Sequence, residues 1–154
     1  MFASAAMFHT RAVKPREWLV EGFIPNGTVT LLGGDGGSGK SLLAMMLAIA
    51  TASTKDVRWL GRLPVQGPAI YCGAEDDIDE MHRRMADITD ANFIQFTDLE
   101  RLHVCSLAGQ DALLAVENPK TKVLAATPLF AEIRDKIEAE RPSLVVFDTL
   151  ADLF

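Results

Sequence analysis

No stretch of the sequence reaches the ~18 consecutive apolar residues that a membrane-spanning helix needs, although 49% of its 154 residues are hydrophobic. The apolar residues are instead spread in short runs, which suits the core of one soluble globular domain and predicts no membrane partner. Basic charge is also in short supply: 15 Lys and Arg stand against 21 Asp and Glu, a net charge of −6. The charge balance does not favour a general affinity for phosphate backbones, and any nucleic-acid contact has to be local or lie elsewhere. Cysteine is limited to Cys72 and Cys105. Both sit in strand-like apolar runs without metal-type spacing, so they read as small core residues rather than a disulfide framework, in keeping with a reducing, cytoplasmic setting. His9, His82 and His103 share no metal spacing either and read as local hydrogen-bonding residues. The first charges, Arg11 and Lys14, follow the early apolar residues instead of preceding them, the reverse of a secretory signal. Internal repeats, low-complexity tracts and flexible linkers are missing as well.

What is present alternates between two periods. Residues 1–15 are weakly patterned; "REWLVEGFIPNG" then carries an apolar cluster into the turn signal Pro25, Asn26, Gly27. "TVTLL" (28–32), "GPAIYCGA" (67–74), "RLHVCSLA" (101–108) and "SLVVFDTL" (143–150) are short apolar runs and predict strands, the first, second and last of them buried. "SLLAMMLAIATAS" predicts a helix covered on most faces. "EDDIDEMHRRMADI" predicts a helix with acids in its first turn and Arg83 and Arg84 complementing the other end of the dipole. "ALLAVENPKTKVLAAT" resembles a hairpin turning at residues 118–121, with Lys120 and Lys122 at a solvated tip. "PLFAEIRDKIEAERP" predicts a helix with Phe130, Ile133 and Ile137 on one face and prolines near both ends. Alternating strands and helices imply an α/β fold with a mainly parallel sheet and helices on both faces.

Gly34, Asp35, Gly36, Gly37, Ser38, Gly39, Lys40 and Ser41 satisfy G-x-x-x-x-G-K-[ST], between an expected strand and an expected helix. This is a Walker A loop, and it points to a nucleoside triphosphate, ATP, with Mg²⁺. Glycines let the backbone wrap closely round a phosphate chain with successive N–H groups turned inward, and the loop opens the positive end of a helix onto the anion. Lys40 is the expected partner of the β- and γ-phosphates, with Leu42 beginning the helix side of the site, and the Ser41 hydroxyl is an expected Mg²⁺ ligand. A second carboxylate is needed at the end of another buried strand, and "SLVVFD" supplies Asp148. Glu75, directly after "AIYCGA", lies where an α/β sheet places its ligands and is a candidate general base; the competing reading is that Glu75, Asp76 and Asp77 only cap the next helix.

With these motifs the chain resembles the RecA-like P-loop ATPases, in particular the hexameric replicative helicases of the plasmid RepA type and their phage relatives. The matching stretches are "EWLVEGFIPNGTVTLLGGDGGSGKSLLAMMLA", "AIYCGAEDD", "TPLFAEIRDKIEAERP" and "PSLVVFDTLADLF", within residues 16–154. The resemblance implies that Glu75 is the catalytic base, with Asp76 as a supporting neighbour; Asp35 departs from the commoner small residue of the loop. It also implies a homo-oligomeric ring and contact with single-stranded DNA through strands and loops downstream of the Walker B strand, where a sensor residue and an arginine finger belong. Residues 16–154 are thus expected to be the N-terminal part of an ATPase core. In such sheets the strand after Walker B inserts between the Walker A and Walker B strands, so that slot is expected to be empty here or closed by direct pairing of the two. ATP–Mg²⁺ binding with little turnover by this chain alone is expected. Two other classes fit the loop: a nucleotide-dependent switch or loader without translocation, and a GTP-using or small-molecule P-loop enzyme. The guanine-reading N-K-x-D is absent, since "ENPKTK" lacks the aspartate.

Overall fold

The computed structural model describes residues 2–120 and 122–153. Met1, Thr121 at the expected hairpin turn, and Phe154 at the end of "DTLADLF" lie outside the described residues. The sheet is built on β3 (Ala69–Gly73), buried at every position because it is covered on both faces. It pairs in parallel with β4 (Leu102–Ser106) on one side and β7 (Leu144–Asp148) on the other. Both registers end flush, with Gly73 opposite Ser106 and opposite Asp148. The carboxyl ends of three strands therefore share one rim, where α/β sheets place their ligands.

Alternation along β3 divides the core between the two faces. Ala69 and Tyr71 pack with Met45 and Ile49 of helix α1 (Lys40–Ala52) and with Met81, Met85 and Ile88 of α2 (Ile78–Ala91). Ile70 and Cys72 face Ile133 of α3 (Pro128–Glu140), together with Leu107, Leu114 and Leu153 of the short α4 (Leu150–Leu153). The result is the helix–sheet–helix layering of a partial P-loop α/β fold. A small hairpin, β1 (Trp18–Val20) with β2 (Ile24–Pro25), adds Leu19 and Val20 to the first layer. Trp59 is buried there too and donates from Nε1 to the Leu43 carbonyl at 2.9 Å. The expected second hairpin forms between β5 (Ala115–Glu117) and β6 (Leu124–Ala126). At its tip Lys122 is exposed and donates to Glu117 Oε1 at 2.7 Å.

Four sequence expectations are corrected. Residues 28–32 are not a strand: Val29 and Leu31 are 92% and 77% exposed, and no backbone partner meets this stretch among the described residues. A strand is held by a neighbour that satisfies its N–H and C=O groups, and β7, the sheet's edge on that side, does not pair with it. Direct closure of the slot therefore does not occur. For the same reason β7 is half-buried rather than buried, with Phe147 exposed. On α3 the packed face is Leu129, Ile133 and Ile137, spaced by four, whereas Phe130 is 42% exposed. Finally, α2 continues to Ala91, which leaves Arg83 and Arg84 in mid-helix with no basic residue in its last turn. They act through side-chain pairs: Arg83 and Arg84 each donate from Nε to Glu80, at 2.9 and 3.0 Å.

Candidate functional site

Helix α1 fixes the polarity of the site. At its far end the Thr51 carbonyl accepts from Gly67 N at 2.9 Å, just before β3 begins, so the helix runs back along the sheet, opposite in sense to β3. Thirteen residues at ~1.5 Å each carry its N-terminus about 20 Å, slightly more than the ~17 Å of five-residue β3, to the rim formed by Gly73, Ser106 and Asp148.

The glycine loop caps that N-terminus. Gly37 and Gly39 take φ of 72° and 84°, the left-handed region where a side chain is strained. Gly34 is constrained by space, since a Cβ there would stand 3.1 Å from Ser38 Oγ. Lys40 folds back over the loop and donates from Nζ to the carbonyls of Gly34 and Asp35 at 2.8 and 2.7 Å, while Ser38 Oγ donates to Asp35 O at 2.7 Å. Carbonyls are thus engaged on one side. The backbone N–H groups of Gly36, Gly37, Gly39, Lys40 and Ser41 donate to no acceptor among the described residues. Five unpaired donors at the positive end of a helix, with an ammonium beside them, make a cradle for an anion. Ser41 is half-buried in the first turn and Leu42 is exposed.

The rim carries the acidic groups. Asp148 ends β7, and its Oδ2 accepts the Tyr71 hydroxyl at 2.6 Å. Burial, reinforced by that hydrogen bond and by the charge of Asp148, pushes the tyrosine pKa up and holds it as a neutral donor. The second carboxylate oxygen has no partner among the described residues.

After β3 the three acids have different surroundings. Asp77 caps α2, accepting from Glu80 N at 2.7 Å. Asp76 is held on both sides, its carboxylate by Arg84 and its carbonyl by Ser106 Oγ at 2.8 Å. Glu75 is exposed, and its carboxylate has no partner among the described residues. Capping therefore accounts for Asp77 but not for Glu75. Tyr71 and Ser106 were not singled out from the sequence, and Arg84 was read only as a partner of the helix dipole. The signal available for Tyr71 was a tyrosine inside a buried strand, whose hydroxyl needs a partner.

Among the described residues no cluster of three or more His, Cys, Asp or Glu side chains assembles into a metal cage. A P-loop magnesium site needs none, because one hydroxyl, one carboxylate, water and phosphate oxygens complete its octahedron. Ser41 and the unengaged oxygen of Asp148 fit that donor chemistry. No helix among the described residues is long and apolar enough to cross a membrane.

Beyond this geometry, a family model described as an AAA domain matches residues 4–154. With an anion cradle at the head of α1 and carboxylates along the neighbouring rim, that match is decisive: the chain belongs to the AAA domain family, whose members are nucleotide-binding ATPases.

Proposed function

We propose that this chain binds ATP through residues 34–42, hydrolyses it with Glu75 as general base, and serves as the motor core of a DNA helicase or related replication ATPase. The observation that carries the nucleotide reading is the row of unpaired N–H groups from Gly36 to Ser41, with the Lys40 ammonium beside them. The loop backbone would hold the phosphate chain. Lys40 would exchange its two carbonyl partners for β- and γ-phosphate oxygens. Ser41 and Asp148 would hold Mg²⁺, which would supply neutralisation of the charge on the phosphates. Tyr71 would keep Asp148 oriented. Glu75, exposed and unpaired, would accept a proton from an attacking water, while Asp76, fixed by Arg84, would position the backbone next to it.

The helicase part of the reading is supported by the sequence resemblance at "AIYCGAEDD" and "DTLADLF". It carries with it single-stranded DNA as a partner and a homo-oligomeric, hexameric ring.

The test is binding of a fluorescent ATP analogue with Mg²⁺, followed by phosphate release from the same samples with and without single-stranded DNA. Lys40→Ala is expected to abolish binding. Glu75→Gln is expected to retain binding and to lose whatever turnover the native chain has. Analogue binding that survives Lys40→Ala would overturn the nucleotide site. Turnover unchanged in Glu75→Gln would overturn the assignment of the base. Lys40-dependent binding with no turnover under any condition would favour a switch or loader instead of a motor.

A further inference from the structure

The face of the sheet turned away from α1 carries a second chemistry. Cys72 on β3 and Cys105 on β4 are direct lateral neighbours in the parallel register, with both side chains on the α3 side. Adjacent strands lie ~4.8 Å apart, inside the ~4.4–6.8 Å of Cα separation that a disulfide spans. The two thiols are free and differ in access: Cys72 is buried, whereas Cys105 is partly exposed. A cavity of about 440 Å³ opens onto both between the sheet and α3, lined also by Ile70, Ile133, Glu132 and Lys136. A cavity that reaches a thiol pair gives a small, uncharged reagent a route to it.

We propose that Cys105 and Cys72 form a peroxide-reactive dithiol, in which Cys105 is the sulfur oxidised first and Cys72 closes an intramolecular disulfide with it. The oxidant is a hydroperoxide of the simplest class, hydrogen peroxide. The Cys105 thiolate attacks one peroxide oxygen, the O–O bond breaks, and the departing hydroxide takes up the proton Cys105 released, giving a sulfenic acid and water. The Cys72 sulfur then attacks the Cys105 sulfur; the S–O bond breaks, and hydroxide leaves with the Cys72 proton as a second water. Two thiols lose two electrons in all, and one peroxide becomes two waters.

The order of events follows from the surroundings. The neighbouring Cys72 thiol draws the Cys105 pKa down to about 7, against burial and the Glu132 carboxylate, while Cys105 and burial push Cys72 up. Thiolate, the reactive form, is therefore favoured on the more exposed of the two sulfurs, and the thiol kept protonated is the one beside it.

The experiment is peptide mass spectrometry of the native chain after hydrogen peroxide at neutral pH, with a thiol-alkylating label as a parallel readout. Expected are faster alkylation of Cys105 than of Cys72, and a Cys72–Cys105 linked peptide that disappears on adding a dithiol reductant. Cys72→Ser is expected to stop at a Cys105 sulfenic acid that a cyclic 1,3-dione traps, and Cys105→Ser to leave Cys72 unoxidised. Preferential oxidation of Cys72, a disulfide formed only between chains, or two thiols that stay unmodified while the native chain remains folded by circular dichroism would each overturn the proposal. The native-chain measurement does not depend on either variant folding.

Discussion

Tyr71→Phe isolates one atom of the rim. The ring is 1% exposed and stays in place; only the hydroxyl that donates to Asp148 Oδ2 at 2.6 Å is removed. A hydrogen bond to a charged acceptor contributes ~1.5–3 kcal/mol. Asp148 is half-buried, so water partly replaces the lost donor and the expected loss is at the lower end, about 1–2 kcal/mol. For a chain of this size that corresponds to a fall in Tm of roughly 2–8 °C. In urea the midpoint should drop with the slope unchanged, because no packing surface is altered. A second signature comes from alkali. The folded pKa of Tyr71 is raised, so its contribution to stability is complete below the unfolded value of about 10 and is lost as pH climbs above it toward the folded value. The native chain should lose stability in that window more steeply than Tyr71→Phe. Nucleotide binding by the variant should also need more Mg²⁺, since Asp148 loses its orienting partner. A variant as stable as the native chain, with the same alkaline profile, would refute the argument that this bond holds Asp148 in place.

Three further outcomes are expected. Asp77→Ala removes the cap of α2 and should cost ~1 kcal/mol, read as a lower urea midpoint with nucleotide binding retained. Gly39→Ala forces a side chain into φ of 84° and should destabilise the chain by ~1 kcal/mol or more while weakening analogue binding, because the cradle must shift; unchanged binding would argue against the loop conformation described. The exposed apolar residues Val29 and Leu31, together with the unpaired edge of β7, should cause concentration-dependent self-association that Val29→Lys with Leu31→Lys reduces in sedimentation experiments.

The legible parts were those whose physics is local. "AIYCG" reads as a buried strand because every residue is apolar or small. The glycines of "GGDGGSGK" announce positive φ and close backbone approach, and the proline of "TPLF" announces a helix start, which the structure shows capped by Thr127 accepting from Phe130 N. Glu75 was separable from Asp76 and Asp77 only in three dimensions, because all three could cap the same helix until the partners of two of them were known. Tyr71 and Asp148 are far apart in the sequence and meet because β3 and β7 pair in one register, which no local pattern encodes.

The sequence by itself thus determined the loop–helix chemistry of an anion cradle, since backbone angles and helix polarity are set by neighbouring residues. Tertiary structure decided the rest. "TVTLL" has every local property of a strand and is not one, because a strand exists only through hydrogen bonds to a neighbour. Cys72 and Cys105, which read singly as small core residues, become a pair because parallel pairing sets them side by side and a cavity reaches them.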